Sequence, residues 1–163
     1  MRILLSLIVF LLCLSPLVSA QNAVSKLSKP DQAKLWLAVG RLNVTDGGFC
    51  TATLIGRLHV LTAAHCIYDA ETGTQVDVER LEFRAGWQGG QAEAYRKIGS
   101  IEVHPDFSFL GQTGLQRVSS DLAILRLLTP IQRPDINPFS VAQMPLKGAY
   151  VAVVSYAHDR SEA

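Results

Sequence analysis

The chain has 163 residues, three cysteines and a formal net charge of +1, the length of one ordinary domain. Fifteen of the first twenty residues are apolar; the rest carries 14 basic against 14 acidic residues and is about 44% apolar, as soluble globular domains are. That balance argues against a nucleic-acid binder, which needs a basic excess, and against a highly charged disordered chain.

Met1-Arg2 is a short positive start, Ile3 to Leu14 an apolar run broken only by Ser6, and Pro16 ends it before the small residues Val18-Ser19-Ala20. These are the parts of a secretory signal peptide over residues 1–20. The run is short for a ~30 Å hydrocarbon core, and no second long apolar run follows it. The expectation is a secreted or periplasmic protein with no stable membrane association after cleavage. Cys13 lies inside the run and reads as apolar filler. Cys50 and Cys66 remain, and in an oxidising compartment they most simply form one disulfide. Closing that loop would stabilise the fold by ~3 kcal/mol. Two free thiols or a metal pair are the alternatives, but two sulfurs and one nearby histidine leave a structural zinc site a ligand short. No metal and no cofactor are expected.

Residues 21–31 are polar and read as a flexible arm. Short apolar runs then alternate with turn residues: Leu35 to Val39 before Gly40, Phe49 to Ile55, Leu58 to Leu61, Leu81 to Ala85, Ala94 to Val103 and Leu122 to Leu128. Short β-sized runs at such spacing argue for an antiparallel sandwich or barrel. Long helical periodicity is absent, and only Ala63 to Tyr68 suggests a helical turn. Pro130, Pro134, Pro138 and Pro145 mark residues 131–148 as an extended connection. Ala149 to Tyr156 reads as one more strand, followed by the charged tail Ala157 to Ala163. A single strand past a long linker would leave an open apolar edge, so the expected architecture is one that continues.

Two segments hold chemistry. In Leu61-Thr62-Ala63-Ala64-His65-Cys66 a histidine follows small residues at a strand end, beside a cysteine that can staple its loop. A general base needs such fixing, although a lone histidine there reads as structural. In Ser119-Ser120-Asp121-Leu122-Ala123-Ile124-Leu125 one aspartate opens an apolar strand. A partly buried carboxylate needs a partner, although alone it could simply cap a turn.

Together, and in this order, the two segments resemble the trypsin-like (chymotrypsin-fold) serine peptidases. Thr62-Ala63-Ala64-His65-Cys66 is similar to that family's histidine motif, and Asp121-Leu122-Ala123-Ile124-Leu125 to its aspartate motif. Gly48 to Ile55 resembles the strand with the partner cysteine, and Val103-His104-Pro105-Asp106-Phe107 the segment between the two. The few disulfides and the export signal look most like the bacterial secreted branch. The resemblance implies an all-β chain. Residues 32–130 would be the first of two antiparallel barrels, residues 131–148 a linker, and residues 149–163 the first strand of a truncated second barrel. It implies an acyl-enzyme mechanism on protein or peptide substrates, with His65 as base, Asp121 as its orienter and a monomeric full-length enzyme. The family's serine sits in a Gly-x-Ser-Gly setting, and after Asp121 only Ser140, Ser155 and Ser161 occur, none of them flanked by glycines. The expectation is therefore an incomplete form lacking the nucleophile and inactive alone. The alternative is an inactive homologue serving as a secreted protein-binding module.

Weaker signals are read plainly. Nothing between Ala20 and Trp36 resembles the Ile-Val-Gly-Gly start of activated family members. Asn43-Val44-Thr45 fits a glycosylation acceptor. His59 is expected to face solvent, His104 to end a strand, and His158 to be solvated in the tail. Trp36 and Trp87 read as core or turn aromatics. The acids Asp69, Glu71, Asp77 and Glu79 lack calcium-loop spacing and read as a polar loop.

Overall fold

A computed structural model describes residues 30–110 and 114–156. The expected signal peptide, most of the arm, and His158 and Ser161 lie outside the described residues. The elements in chain order are α1 (Pro30–Lys34), β1 (Val39–Val44), β2 (Phe49–Gly56), β3 (His59–Thr62), β4 (Leu81–Ala85), β5 (Ala94–Val103), α2 (Gly114–Ser120) and β6 (Ala123–Leu127). Short 3-10 turns form at Ala64–Ile67 and Val78–Arg80. The six strands close a barrel in the order β1-β2-β3-β6-β5-β4, every neighbouring pair antiparallel. The expected all-β trypsin-like barrel is what the chain forms.

Period-two alternation decides which side chains fill it. Leu81, Phe83 and Ala85 of β4 and Ala123, Leu125 and Leu127 of β6 point inward, whereas Ile124 and Arg126 point out. Leu42, Leu54, Val60, Leu81, Phe83, Leu125 and Leu127 are wholly buried, each contributing about 1.5–3 kcal/mol of transfer free energy. Ile131 and Ile136, beyond the last strand, join the same core.

Four local readings differ from the sequence expectation. The first apolar run does not stop at Gly40: β1 starts at Val39 and passes through that glycine. A Cβ at Gly40 would stand 2.2 Å from the Arg84 carbonyl oxygen and 2.8 Å from the Ala85 Cα. The glycine therefore permits close β1–β4 contact and does not end a strand. The polar arm loses its last two residues to α1, where Pro30 starts a helix and Asp31 lies 3.4 Å from Lys34. Helix α2 gives no sign in the sequence, because its seven residues are too short to show a periodic apolar face. Finally, the segment expected as a further strand, Ala149 to Tyr156, pairs with no described strand.

The connection after β6 is anchored at first. The Ile131 amide donates to the Arg57 carbonyl at 2.9 Å, the Phe139 amide donates to the Leu54 carbonyl at 2.9 Å, and the Phe139 ring packs on Trp36 with centroids 5.6 Å apart. Beyond it, Val141, Met144, Leu146, Tyr150, Val151 and Val153 are all at least 70% exposed. Contact resumes at Tyr156, whose amide donates to Thr51 Oγ1 at 2.7 Å and whose hydroxyl donates to the Trp87 carbonyl at 2.8 Å.

Candidate active site

The site grows from the end of β3. Thr62 closes that strand and its hydroxyl donates to the Thr51 carbonyl on β2 at 2.9 Å. The chain then tightens into the Ala64–Ile67 turn, with Ala64 and Ile67 wholly buried. These two anchors fix the turn, and His65 between them faces outward with a side chain 49% exposed. Its neighbour Cys66 is bonded to Cys50 on β2, with Cα atoms 6.0 Å apart. The histidine is thus gripped from below by packing and from beside by a covalent link.

Asp121 arrives from the other direction, between α2 and β6. β3 and β6 are ladder neighbours, with Thr62 opposite Ala123. Three residues past Thr62 and two before Ala123 the chain therefore meets itself. The Leu122 carbonyl accepts from the His104 amide at 2.9 Å, tying this turn to the end of β5. Asp121 Oδ1 accepts the His65 backbone N–H at 2.8 Å, and Oδ2 lies 2.7 Å from His65 Nδ1 across 56 residues of sequence. An ionised carboxylate only accepts. The contact therefore puts the ring proton of neutral His65 on Nδ1 and leaves the lone pair on Nε2. Such an imidazole can take a proton at Nε2 while its partner keeps the ring from turning.

Of the residues singled out in sequence, the fold brings together His65, Asp121, Cys50 and Cys66. Cys50, His65 and Cys66 also form the one cluster of potential metal ligands found among the described residues; both sulfurs are engaged in the disulfide. Asp69 makes a local polar turn. Its Oδ1 accepts from the Glu71 and Thr72 amides at 3.0 and 2.8 Å, and the bonds from Thr72 hold its carboxyl below the usual range. His59 is exposed on β3, and His104 follows the end of β5 and accepts the Asp106 amide at 3.2 Å. Asn43 lies in β1 with Oδ1 buried, an enclosed position for a glycosylation acceptor. Ser140 and Ser155 are exposed on the connection and on the segment after it.

Two further features of the barrel are not legible in the sequence. Tyr68 stacks on Phe109 with centroids 5.4 Å apart and leans on Phe107 at 5.6 Å, joining the loop after His65 to the loop before Asp121. Only Phe107, within the His-Pro segment, gave a signal. On the outer wall, the Arg41 guanidinium lies 3.6 Å over the Phe49 ring and 4.9 Å from Trp87. Burial, then the facing Arg84, depresses its pKa from the ordinary value. Like charges opposite one another on a ladder go unnoticed until register is known.

The Trypsin family profile matches residues 26–160. Venom serine protease 34 of Apis mellifera is 27% identical over 117 residues, covering 69% of this chain and 28% of the relative. The chain thus spans less than a third of the length of that relative. No helix among the described residues is long and apolar enough to cross a membrane. The profile covers the whole barrel, including the two strand ends at which His65 and Asp121 meet, and the chain belongs to the trypsin family of serine peptidases.

Proposed function

We propose that this chain supplies the base-and-orienter half of a secreted serine endopeptidase. His65 takes the proton of a serine hydroxyl at Nε2 as that oxygen attacks the scissile carbonyl, then passes it to the leaving amine. Asp121 keeps the ring in the required tautomer and stabilises the imidazolium. The observation that carries this reading is the double grip of one carboxylate, 2.8 Å to the His65 amide and 2.7 Å to its ring. One contact alone would fix an atom, whereas two fix the ring relative to its own backbone.

In this reading residues 1–20 are a removable export signal, residues 32–130 the first barrel, residues 131–148 the linker and residues 149–163 the start of a second barrel. That second barrel supplies the nucleophile and the backbone N–H groups that stabilise the oxyanion. The 163 residues themselves contain no Gly-x-Ser-Gly. Substrates are proteins or peptides, reaching the exposed face of His65.

The test has two arms. Nitrogen-15 NMR of the His65 ring is expected to show the proton on Nδ1, and Asp121→Asn is expected to move it to Nε2; identical ring spectra for the two proteins would overturn the orienter role. The 163-residue chain is also expected to give no ester hydrolysis and no labelling by a fluorophosphonate serine reagent. Hydrolysis abolished by His65→Ala would place a nucleophile within these residues and sink the proposed division of labour.

A further inference from the structure

The disulfide beside His65 hides a second chemistry. Cys50 Sγ, Cys66 Sγ and a ring nitrogen of His65 lie within 4.8 Å of one another, and His65 Nε2 is 3.6 Å from Cys66 Sγ. A tetrahedral Zn2+ bonded at about 2.3 Å to sulfur and about 2.0–2.1 Å to nitrogen has sulfur–nitrogen edges of about 3.6 Å. One edge of such a tetrahedron is therefore already in place. Cα atoms 6.0 Å apart on β2 and on the turn anchored by Ala64 and Ile67 would hold both thiols near that nitrogen after the sulfur–sulfur bond opens. Asp121 Oδ2, 2.7 Å from Nδ1, supplies the carboxylate that fixes tautomer and ring direction in metal-ligating histidines. The half-exposed ring leaves room for an ion to enter and for water to fill a fourth position.

We propose that the reduced form of this protein is a binder of Zn2+-class ions through Cys50, Cys66 and His65 Nε2, with Asp121 as the supporting carboxylate. A dithiol reductant opens the site by thiol–disulfide exchange. The Cys50–Cys66 bond breaks, a disulfide closes within the reductant, and its two protons pass to the protein sulfurs. The ion then displaces one proton from each thiol, and His65 gives its Nε2 lone pair while the Nδ1 proton stays toward Asp121. That lone pair is the one the proposed peptidase mechanism uses, so the metal-bound form has no free base. The binding step does not depend on that mechanism.

Co2+ serves as the probe, added to the full chain under a phosphine reductant, with Cys13→Ala to keep the third thiol out of the spectrum. The expected result is one equivalent bound with the visible bands of tetrahedral, thiolate-ligated Co2+, displaced by Zn2+ and absent from the oxidised protein. Asp121→Asn is expected to weaken binding by about 10–100-fold, as loss of a supporting carboxylate does elsewhere, and His65→Ala, which removes a ligand, by at least as much. No tetrahedral spectrum, the same spectrum with the disulfide intact, or undiminished affinity in His65→Ala would each overturn the proposal. If reduction unfolds the barrel, binding must refold it, since metal affinity is then folding free energy. Circular dichroism that stays unfolded at saturating Co2+ would also overturn it. None of these readouts measures hydrolysis, so their failure leaves the peptidase reading standing.

Discussion

The barrel and the segment after it are built from similar residues and end in opposite states. Leu42, Leu54, Phe83, Leu125 and Leu127 have no exposed surface, while Val141, Met144, Leu146, Tyr150, Val151 and Val153 keep at least 70% of theirs. Both stretches are apolar, and the run from Ala149 to Tyr156 is as rich in β-formers as β5. The difference is partners. Every barrel strand has a neighbour on each side, whereas residues 149–153 have none among the described strands. Strand propensity expresses packing on a pleated, half-buried surface and does little without that surface.

Substitutions can break this contrast. The largest expected effect is Phe83→Ala, which leaves a cavity at the barrel centre and should cost about 3–5 kcal/mol; Val153→Ala should stay within about 0.5 kcal/mol. Urea unfolding of the pair checks this, and comparable losses would mean that Val153 is buried in solution. Next comes the covalent staple: replacing both Cys50 and Cys66 by alanine should cost ~3 kcal/mol, read from the same denaturation midpoints. A smaller effect is expected at Tyr156→Phe, where losing the bond to the Trp87 carbonyl at 2.8 Å removes about 0.5–1.5 kcal/mol. It should also release residues 154–156 from the barrel, seen as faster amide exchange there with the barrel unchanged.

The parts of this molecule that are legible in its sequence are the local ones. The five later strands were legible because their runs are bounded by turn residues, and the histidine and aspartate segments because each has a distinctive chain of neighbours. Gly40 misleads because a glycine forced by close approach of Arg84 looks, in one dimension, like a glycine that ends a strand. Helix α2 was invisible for its shortness, and the unpaired run at 149–156 because pairing is a property of the neighbour. The contact between His65 and Asp121 could be inferred by family resemblance. Its physical cause, the Thr62–Ala123 register, could not be read before the barrel closed.

The smallest expected effect tests where the barrel's hold on the connection stops. Arg133 reaches back to the barrel, donating to the Glu93 carbonyl at 2.7 Å and lying 3.0 Å from the Glu93 carboxylate, while it also binds Asp135. The hydrogen bond from Arg133 holds the Asp135 carboxyl below its ordinary value. A carboxyl depressed in the folded state stabilises that state above the unfolded value of about 3.9, and the contribution fades as pH falls through the lower folded value. Asp135→Asn should therefore lower the urea midpoint slightly at pH 7. The gap from wild type should close as the pH drops below the ordinary carboxylate range. Both side chains are exposed and the pair is screened by salt, so the neutral-pH gap should also narrow at high ionic strength. A gap that widens in acid would mean that the Asp135 carboxyl is not held down by Arg133. The grip on residues 131–139 would then rest on the buried Ile131 and Ile136, the packing of Phe139 on Trp36, the Arg133 contacts to Glu93 and the backbone bonds to Arg57 and Leu54.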